Sequence, residues 1–216
     1  MTKIQDKVSK IINYFREARP NVSSELNYGN EFELLVATIL AAQCTDKRVN
    51  MVTPALFQRF TNVQDLSKAD VEEVLTYIKS VSYPNSKAKY LVNMAMMVVE
   101  KYNGKIPNRI EDLVKLPGVG RKTANVVLAF AFGENAMPVD THVFRVSHRL
   151  GLVSEKLKTP EKVEEVLVKR IPKEYISTAH HWLLLHGRYI CTARVPHCEK
   201  CGLTELCAYY QKKCIK

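Results

Sequence analysis

Apolar residues recur along nearly the whole chain at the three- and four-residue spacing of helices that bury one face. The first such stretch covers residues 3–17 and ends at a break over 18–21, which contains a proline. Asn30 and Glu33 then form a capping pair for a second helix, whose dense apolar content predicts a place at the centre of a core. No alternating stretch predicts a strand, and no internal repeat is present. The pattern therefore predicts an all-α fold.

Later helices are indicated by caps, prolines and apolar spacing. Ser67 with Asp70 predicts a cap for one helix, and residues 86–103 predict a long one. Pro160 and Pro172 stand at positions typical of a first helical residue, so two more helices should begin there. Three methionines of the long helix are interpreted as core filler: Met94, Met96 and Met97.

The composition favours a polyanionic partner. The chain has 216 residues, 46% of them hydrophobic, which suffices for one domain or two small ones with a full core. Lysine and arginine outnumber aspartate and glutamate by 32 to 22, giving a net charge of +10. Such an excess is typical of proteins that bind nucleic acid in a salt-sensitive way, although a basic protein without that partner has the same composition.

Secretion and membrane insertion are disfavoured. No apolar run approaches the length of a membrane span, and the first residues lack the apolar core of a secretion signal. Six cysteines without such a signal indicate a reducing compartment, where disulfides are rare. We therefore expect a cytoplasmic protein with no membrane partner.

Residues 116–124 read LPGVGRKTA and separate two helical patterns. The proline discourages continuation of the first helix, and we expect Gly118 and Gly120 to adopt backbone angles closed to other residues and to permit close approach of another chain. Lys122 would lie in the first turn of the second helix, beside amide groups that suit a phosphate. A purely structural corner is the alternative. The dinucleotide fingerprint does not match, because Thr123 stands where its third glycine is required and no strand precedes the segment; the P-loop fingerprint does not match either.

Two further polar positions begin or follow apolar helices. Asp140, within the segment PVDTH, is predicted to cap a helix that runs to Leu150. Gln43 follows the central helix in the segment QCTD, which is either a capped turn or the rim of a site.

Four cysteines follow the spacing C-x6-C-x2-C-x5-C near the end of the chain. Soft thiolates suit zinc or an iron–sulfur cluster, and the spacing alone leaves both open. Coincidental buried cysteines are disfavoured by their density in so short a stretch. The four residues are Cys191, Cys198, Cys201 and Cys207.

These motifs, in this order, resemble those of the helix-hairpin-helix DNA glycosylases, and of the endonuclease III family in particular. The resemblance covers nearly the whole chain and carries three motifs: the hairpin, the PVDTH segment and the late cysteines. It implies two helical lobes with DNA in the cleft between them. One is a six-helix barrel-type domain at 24–135, with the helix-hairpin-helix at about 108–132, and the other is a helical iron–sulfur domain made of 1–23 and 136–216.

The resemblance implies a bifunctional enzyme of base excision repair. In the family, the lysine at the position of Lys122 attacks the sugar C1′ and displaces the damaged base, while the aspartate at the position of Asp140 assists. The imine then acidifies the C2′ proton, and β-elimination nicks the strand 3′ to the lesion. The implied partner is duplex DNA with an oxidised pyrimidine or an abasic site, acted on by a monomer at the bacterial nucleoid.

The family also implies binding residues and a cofactor. Gln43 matches a glutamine that helps fill the gap left by an extruded base, while Gly118, Gly120 and Arg121 belong to the hairpin that holds backbone phosphates. Arg194 could meet a further phosphate. The four cysteines match the ligands of a [4Fe–4S] cluster with a structural role, and Cys214 falls outside that pattern as a free thiol.

One segment departs from the family pattern. Ser82 stands where the family has glycine, Tyr83 takes the position of a DNA wedge, and Pro84 replaces an aromatic residue. An aromatic side chain suits an unstacked duplex, but Tyr-Pro-Asn is also a common surface turn. Cys44 stands where the family often has alanine, and we interpret it as a small buried residue.

Two other functions fit parts of the pattern. The adenine glycosylase that acts on mismatches lacks a lysine at the position of Lys122. A non-catalytic helix-hairpin-helix module with a zinc knob would need neither Lys122 nor Asp140.

Overall fold

The computed structural model describes residues 2–22 and 24–213, so Cys214 lies outside the described chain. Every regular element in these residues is helical, which confirms the all-α prediction. None of the described helices combines the length and apolar character that a bilayer crossing requires. The α-helices are α1 Lys3–Ala18, α2 Glu31–Ala41, α3 Asp46–Arg59, α4 Val63–Ser67, α5 Val71–Ile78, α6 Pro84–Tyr102, α7 Ile110–Leu113, α8 Arg121–Ala131, α9 Thr141–Leu150, α10 Pro160–Arg170, α11 Ile176–Tyr189 and α12 Ala208–Lys213.

The chain divides into two compact units. The contiguous unit, residues 24–134, contains α2 to α8. The discontinuous unit, residues 1–23 together with 135–216, contains α1 and α9 to α12. The hairpin between α7 and α8 therefore belongs to the first unit, and the cysteine segment belongs to the second.

Helix α2 forms the centre of the contiguous unit, as its apolar content predicts. Leu34, Leu35 and Leu40 are fully shielded from solvent, and α3, α6 and α8 pack around the helix. A helix that is apolar on nearly every side must be covered on nearly every side. The two ends of α2 are thereby fixed against their neighbours.

The caps in this unit are close to those predicted, with one exception. Asn30 accepts a hydrogen bond from the Glu33 amide at 2.9 Å, while the Glu33 carboxylate accepts one from the Gly29 amide at 2.6 Å. Asp70 caps α5 through the Glu72 amide. The expectation for Ser67 is wrong, because this residue ends α4 and the Asp70 carboxylate stands directly before α5.

Two expectations about burial also fail. Met94 is buried in α6, but Met96 is 42% exposed, because two residues of helix rotate the side chain by about 200° and turn it to the opposite face. Met97 is half-buried. Cys44 is half-buried rather than buried, since it lies in the turn after α2 instead of within the helix.

The discontinuous unit is joined by aromatic packing between its two chain segments. Phe15 of α1 stacks on Trp182 of α11 with ring centroids 5.9 Å apart, and the Trp182 indole donates to the Arg19 carbonyl at 2.8 Å. Both rings are almost fully buried. This contact explains why the first helix belongs with the last third of the chain.

The two prolines predicted to open helices behave differently. Pro160 is the first residue of α10, as expected. Pro172 instead precedes a 3₁₀ turn, Lys173–Tyr175, and α11 begins only at Ile176. Proline suits both positions because an N–H group at a helix start would have no partner within the helix, so its absence from proline costs no hydrogen bond.

Candidate active site

The connection between α7 and α8 is a tight turn closed on the core. Leu116 and Val119 are buried, and the Val119 amide donates to the Leu116 carbonyl at 3.0 Å. Gly118 has a φ of +79°, and a Cβ there would lie 3.0 Å from the Tyr90 Cβ and 3.2 Å from the Ile39 Cγ2. The turn thus requires glycine at position 118 for both conformation and space.

The backbone conformation at Gly120 does not require glycine. Its φ of −87° and ψ of 174° are open to any residue, so the expectation of a special backbone angle is wrong for it. A Cβ on Gly120 would meet no atom within 4 Å. Since α8 begins directly after Gly120 and has no side-chain cap, the amides at its start adjoin open space, as an anion site requires.

Arg121 and Lys122 are the first two residues of α8, and both are exposed. The guanidinium offers a fork of donors for phosphate, while the amine can act as a nucleophile when it loses its proton. The first turn of α8 therefore carries a guanidinium and an amine beside an uncapped helix start.

Gln43 and Tyr83 lie on neighbouring turns of the contiguous unit. Gln43 follows α2 and is exposed, and Tyr83 immediately precedes α6 with 63% of its surface exposed. The Ser82 hydroxyl donates to the Gln43 carbonyl at 2.7 Å, which joins the two turns. The wedge and surface-turn interpretations of Tyr83 both require this exposure.

In the discontinuous unit, Asp140 caps α9. Its Oδ1 accepts hydrogen bonds from the His142 amide at 2.9 Å and the Val143 amide at 2.8 Å. The structure thus confirms the predicted cap, and it fixes the carboxylate at the positive end of a helix.

The four cysteines predicted as metal ligands line one small pocket that is open to solvent. The rest of its wall comes mainly from aromatic and aliphatic side chains, with His186 and His197. As placed, no three Cys, His, Asp or Glu side chains in residues 2–22 and 24–213 converge tightly enough to hold a single ion. Arg194 lies exposed in the loop between the first two cysteines.

Burial shifts the pKa of two groups in this wall, Cys201 and His186. It raises the pKa of the Cys201 thiol, so a thiolate here needs a cationic partner. It lowers the pKa of His186 to about 4, with a smaller contribution from the Arg19 charge, which leaves the imidazole neutral at pH 7. The His186 Nε2 lies 3.6 Å from the Cys201 Sγ.

Two arginines that the sequence analysis did not single out hold the cysteine segment against α9. Arg145 donates to the carbonyls of Gly187 at 2.8 Å and Cys191 at 3.1 Å. Arg149 donates to the Thr192 carbonyl at 2.7 Å and approaches the Cys191 Sγ at 3.4 Å. Burial, followed by the neighbouring Arg149 charge, lowers the pKa of the Arg145 guanidinium. In the sequence, the four-residue spacing of these arginines places both side chains on the same face of one helix.

A helical fold with this hairpin and an aspartate-capped helix defines a class of DNA repair proteins. Residues 36–173 match the family described as HhH-GPD superfamily base excision DNA repair protein. Endonuclease III of Rickettsia conorii is 48% identical over 203 residues, covering 94% of this chain and 96% of the relative. Endonuclease III of Escherichia coli K12 is 44% identical, covering 94% and 95%.

Solved structures agree with these relatives. An endonuclease III trapped as a covalent intermediate with DNA matches this fold with a TM-score of 0.90 and 41% identity, over 99% of this chain and 100% of the other. A non-covalent endonuclease III–DNA complex matches with the same score and identity over the full length of both chains. The chain therefore belongs to the endonuclease III family.

The two hairpin glycines should respond differently to an added methyl group. Gly118→Ala should lower the free energy of unfolding by about 1–3 kcal/mol, because its Cβ would crowd Tyr90 and Ile39 in a left-handed conformation. Gly120→Ala should leave that free energy within about 0.5 kcal/mol and weaken duplex binding by roughly tenfold, or about 1.4 kcal/mol. Urea unfolding and fluorescence anisotropy at fixed salt measure the two quantities. Tight duplex binding by Gly120→Ala would contradict a phosphate seat at this helix end.

Proposed function

We propose that this chain is a bifunctional DNA glycosylase and abasic-site lyase that removes oxidised pyrimidines from duplex DNA and nicks the strand 3′ to the lesion. The observation that carries the proposal is the position of Lys122: exposed, in the first turn of α8, two residues after the open Gly120. Membership of the endonuclease III family supports it, since an endonuclease III has been trapped as a covalent intermediate with DNA.

DNA binding begins with charge. The net charge of +10 attracts the duplex at long range and makes binding salt-dependent. Amides at Gly118 and Gly120 and the side chain of Arg121 hold backbone phosphates without reading sequence. Arg194 adds a phosphate contact from the cysteine loop.

The damaged nucleotide must leave the base stack before the enzyme can reach C1′. Gln43 and Tyr83 occupy the space that it vacates, since both are exposed and lie on joined turns. Aromatic side chains are effective in this role because they stack on the neighbouring bases.

The chemistry takes place at Lys122. A lysine amine is almost wholly protonated at neutral pH, so attack requires loss of a proton. The neutral Nζ forms a bond to C1′ as the bond to the base breaks, and the base leaves with a proton. Opening of the sugar ring gives an imine, which acidifies the C2′ hydrogen. Loss of that proton expels the 3′ phosphate and cuts the strand.

Asp140 has two roles in this scheme. It caps α9 through Oδ1, and its carboxylate takes up the proton from Lys122 or stabilises positive charge on the sugar. Lys122 belongs to the contiguous unit and Asp140 to the discontinuous unit.

The cysteine cavity suits an iron–sulfur cluster. All four thiols line one pocket, and burial makes a lone thiolate at Cys201 unfavourable without a metal cation beside it. Cys191, Cys198, Cys201 and Cys207 would hold a [4Fe–4S] group. When bound, that group would tie together a loop segment with little core of its own. We place the enzyme in the bacterial cytoplasm at the nucleoid, in keeping with its bacterial relatives.

Lys122→Ala should abolish both activities. We expect a loss on the order of a thousandfold or more in base release from a thymine glycol duplex and in nicking of an abasic duplex, because both steps use the same amine. Gel assays on end-labelled duplexes measure both. Lys101→Ala, which removes an exposed lysine from the end of α6, is the matched control and should retain activity. Normal nicking by Lys122→Ala would contradict the proposal and favour a different nucleophile.

Asp140→Asn and Asp140→Ala should separate capping from chemistry. Asparagine keeps a cap acceptor, so its free energy of unfolding should stay within about 0.5 kcal/mol of wild type, while alanine should cost about 1 kcal/mol. Both variants should lose roughly 10²-fold or more in single-turnover base release. If Asp140→Asn kept full activity, the carboxylate would be a cap and nothing more.

The iron, zinc and sulfide contents of the purified protein identify the cofactor. Purified protein should contain iron and acid-labile sulfide in equal amounts, with broad visible absorbance. Cys201→Ser should lose both, whereas Cys44→Ser, a half-buried cysteine outside the pattern, should retain them. Zinc without sulfide would contradict the iron–sulfur cluster and favour a zinc site at the same cysteines.

A further inference from the structure

Two exposed residues of the contiguous unit hold a backbone conformation that their side chains disfavour. Three residues other than glycine have a left-handed φ in the described chain: Gln43 at 54°, Tyr83 at 56° and Asn103 at 53°. Asn103 is the C-cap of α6, where a left-handed asparagine is common. Glutamine and tyrosine rarely adopt this region, so the surroundings must impose it at positions 43 and 83.

The first constraint is a hydrogen bond between the two turns. The Ser82 hydroxyl donates to the Gln43 carbonyl at 2.7 Å across 39 residues of sequence. Ser82 is the residue directly before Tyr83, so this bond fixes the peptide that leads into Tyr83 against the peptide that leaves Gln43. A residue without a side-chain donor at position 82 could not make it.

The second constraint is a buried lysine. The Nζ of Lys87 donates to the carbonyls of Leu40 and Ala42, each at 2.7 Å, at the end of α2. The Lys87 amide donates to the Tyr83 carbonyl at 3.1 Å. Lys87 therefore bonds the residue before Gln43 with its side chain and Tyr83 with its backbone.

Core packing alone does not explain this lysine. Only 4% of Lys87 is exposed, and burial lowers the pKa of its amine, so the position costs desolvation that leucine or methionine would avoid. What an amine adds is two donors aimed at the carbonyl end of α2, where the helix dipole also favours positive charge. The two hydrogen bonds offset the desolvation cost of the amine, and they hold the backbone at the end of α2 in place.

We propose that Ser82 and Lys87 are positioning residues that lock Gln43 and Tyr83 into one preformed wedge for the duplex. This inference rests on the proposed glycosylase function. A wedge that is already ordered enters the base stack without losing conformational freedom at that moment, so more of the binding free energy goes into extruding the nucleotide. Its contribution is largest when a damaged base must be pulled from a paired stack, and small when the base is already absent.

Ser82→Ala provides the test, because residue 82 is partly exposed and the change removes one hydroxyl. Single-turnover base release from a thymine glycol duplex should fall about fivefold to tenfold, while nicking of a preformed abasic duplex should change by less than twofold. A 2-aminopurine placed beside the lesion should show a smaller fluorescence rise on binding. Ser82→Thr, which restores the hydroxyl, should recover both signals.

Two further variants complete the experiment. Ser67→Ala removes a comparable hydroxyl-to-carbonyl hydrogen bond on α4, where Ser67 donates to Gln64 at 2.8 Å, and should behave as wild type. Lys87→Met removes both donors at similar length and should show a larger loss of base release than Ser82→Ala, with urea unfolding run alongside to report any loss of fold.

The outcomes separate the inference from the function it rests on. Unchanged base release and fluorescence in Ser82→Ala would overturn the positioning role while leaving the glycosylase intact. An equal loss on thymine glycol and abasic duplexes would also overturn it, since that result indicates general weakening of DNA binding. If wild type acted on neither duplex, the proposed function itself would fail.

Discussion

The first amides and the last carbonyls of every helix have no hydrogen-bond partner within that helix. Several candidate functional residues of this chain lie at such helix ends. At the start of α8 no side chain caps the first turn, and Gly120 adjoins open space. At the start of α9, Asp140 caps two amides. At the end of α2, Lys87 binds two carbonyls. These three helix ends respectively serve phosphate binding, chemistry and wedge placement in our account.

Features that depend on neighbours in sequence could be predicted from the sequence. The Asp140 cap follows from an aspartate directly before a helical apolar pattern, and the left-handed φ of Gly118 follows from a glycine in a tight turn. The expectation of a special backbone angle holds at Gly118 and is wrong at Gly120, because the residue type alone does not fix φ. The exposure of Met96 could not be predicted, because its apolar character alone does not say which face of α6 is covered.

Features that depend on distant parts of the chain were not predictable. The left-handed φ of Tyr83 occurs beside a hydrogen bond from Ser82 to Gln43, a residue some forty positions earlier, and a lone sequence gives no sign of that contact. The burial of Lys87 likewise depends on α2, whose Leu40 carbonyl accepts a hydrogen bond from its amine. The hydrogen bonds of Arg145 and Arg149 to the cysteine segment likewise depend on that segment lying against α9. The cysteines themselves were recognisable because their spacing is local.

If the amine of Lys122 forms the covalent bond to DNA, the residue that carries the sugar after trapping must be Lys122. Borohydride reduction of the wild-type protein on an abasic duplex, followed by digestion and mass mapping, reports it. Our account predicts one modified peptide, with the sugar remnant on Lys122. A remnant on another lysine or on the terminal amine would contradict the account, whatever the measured activity.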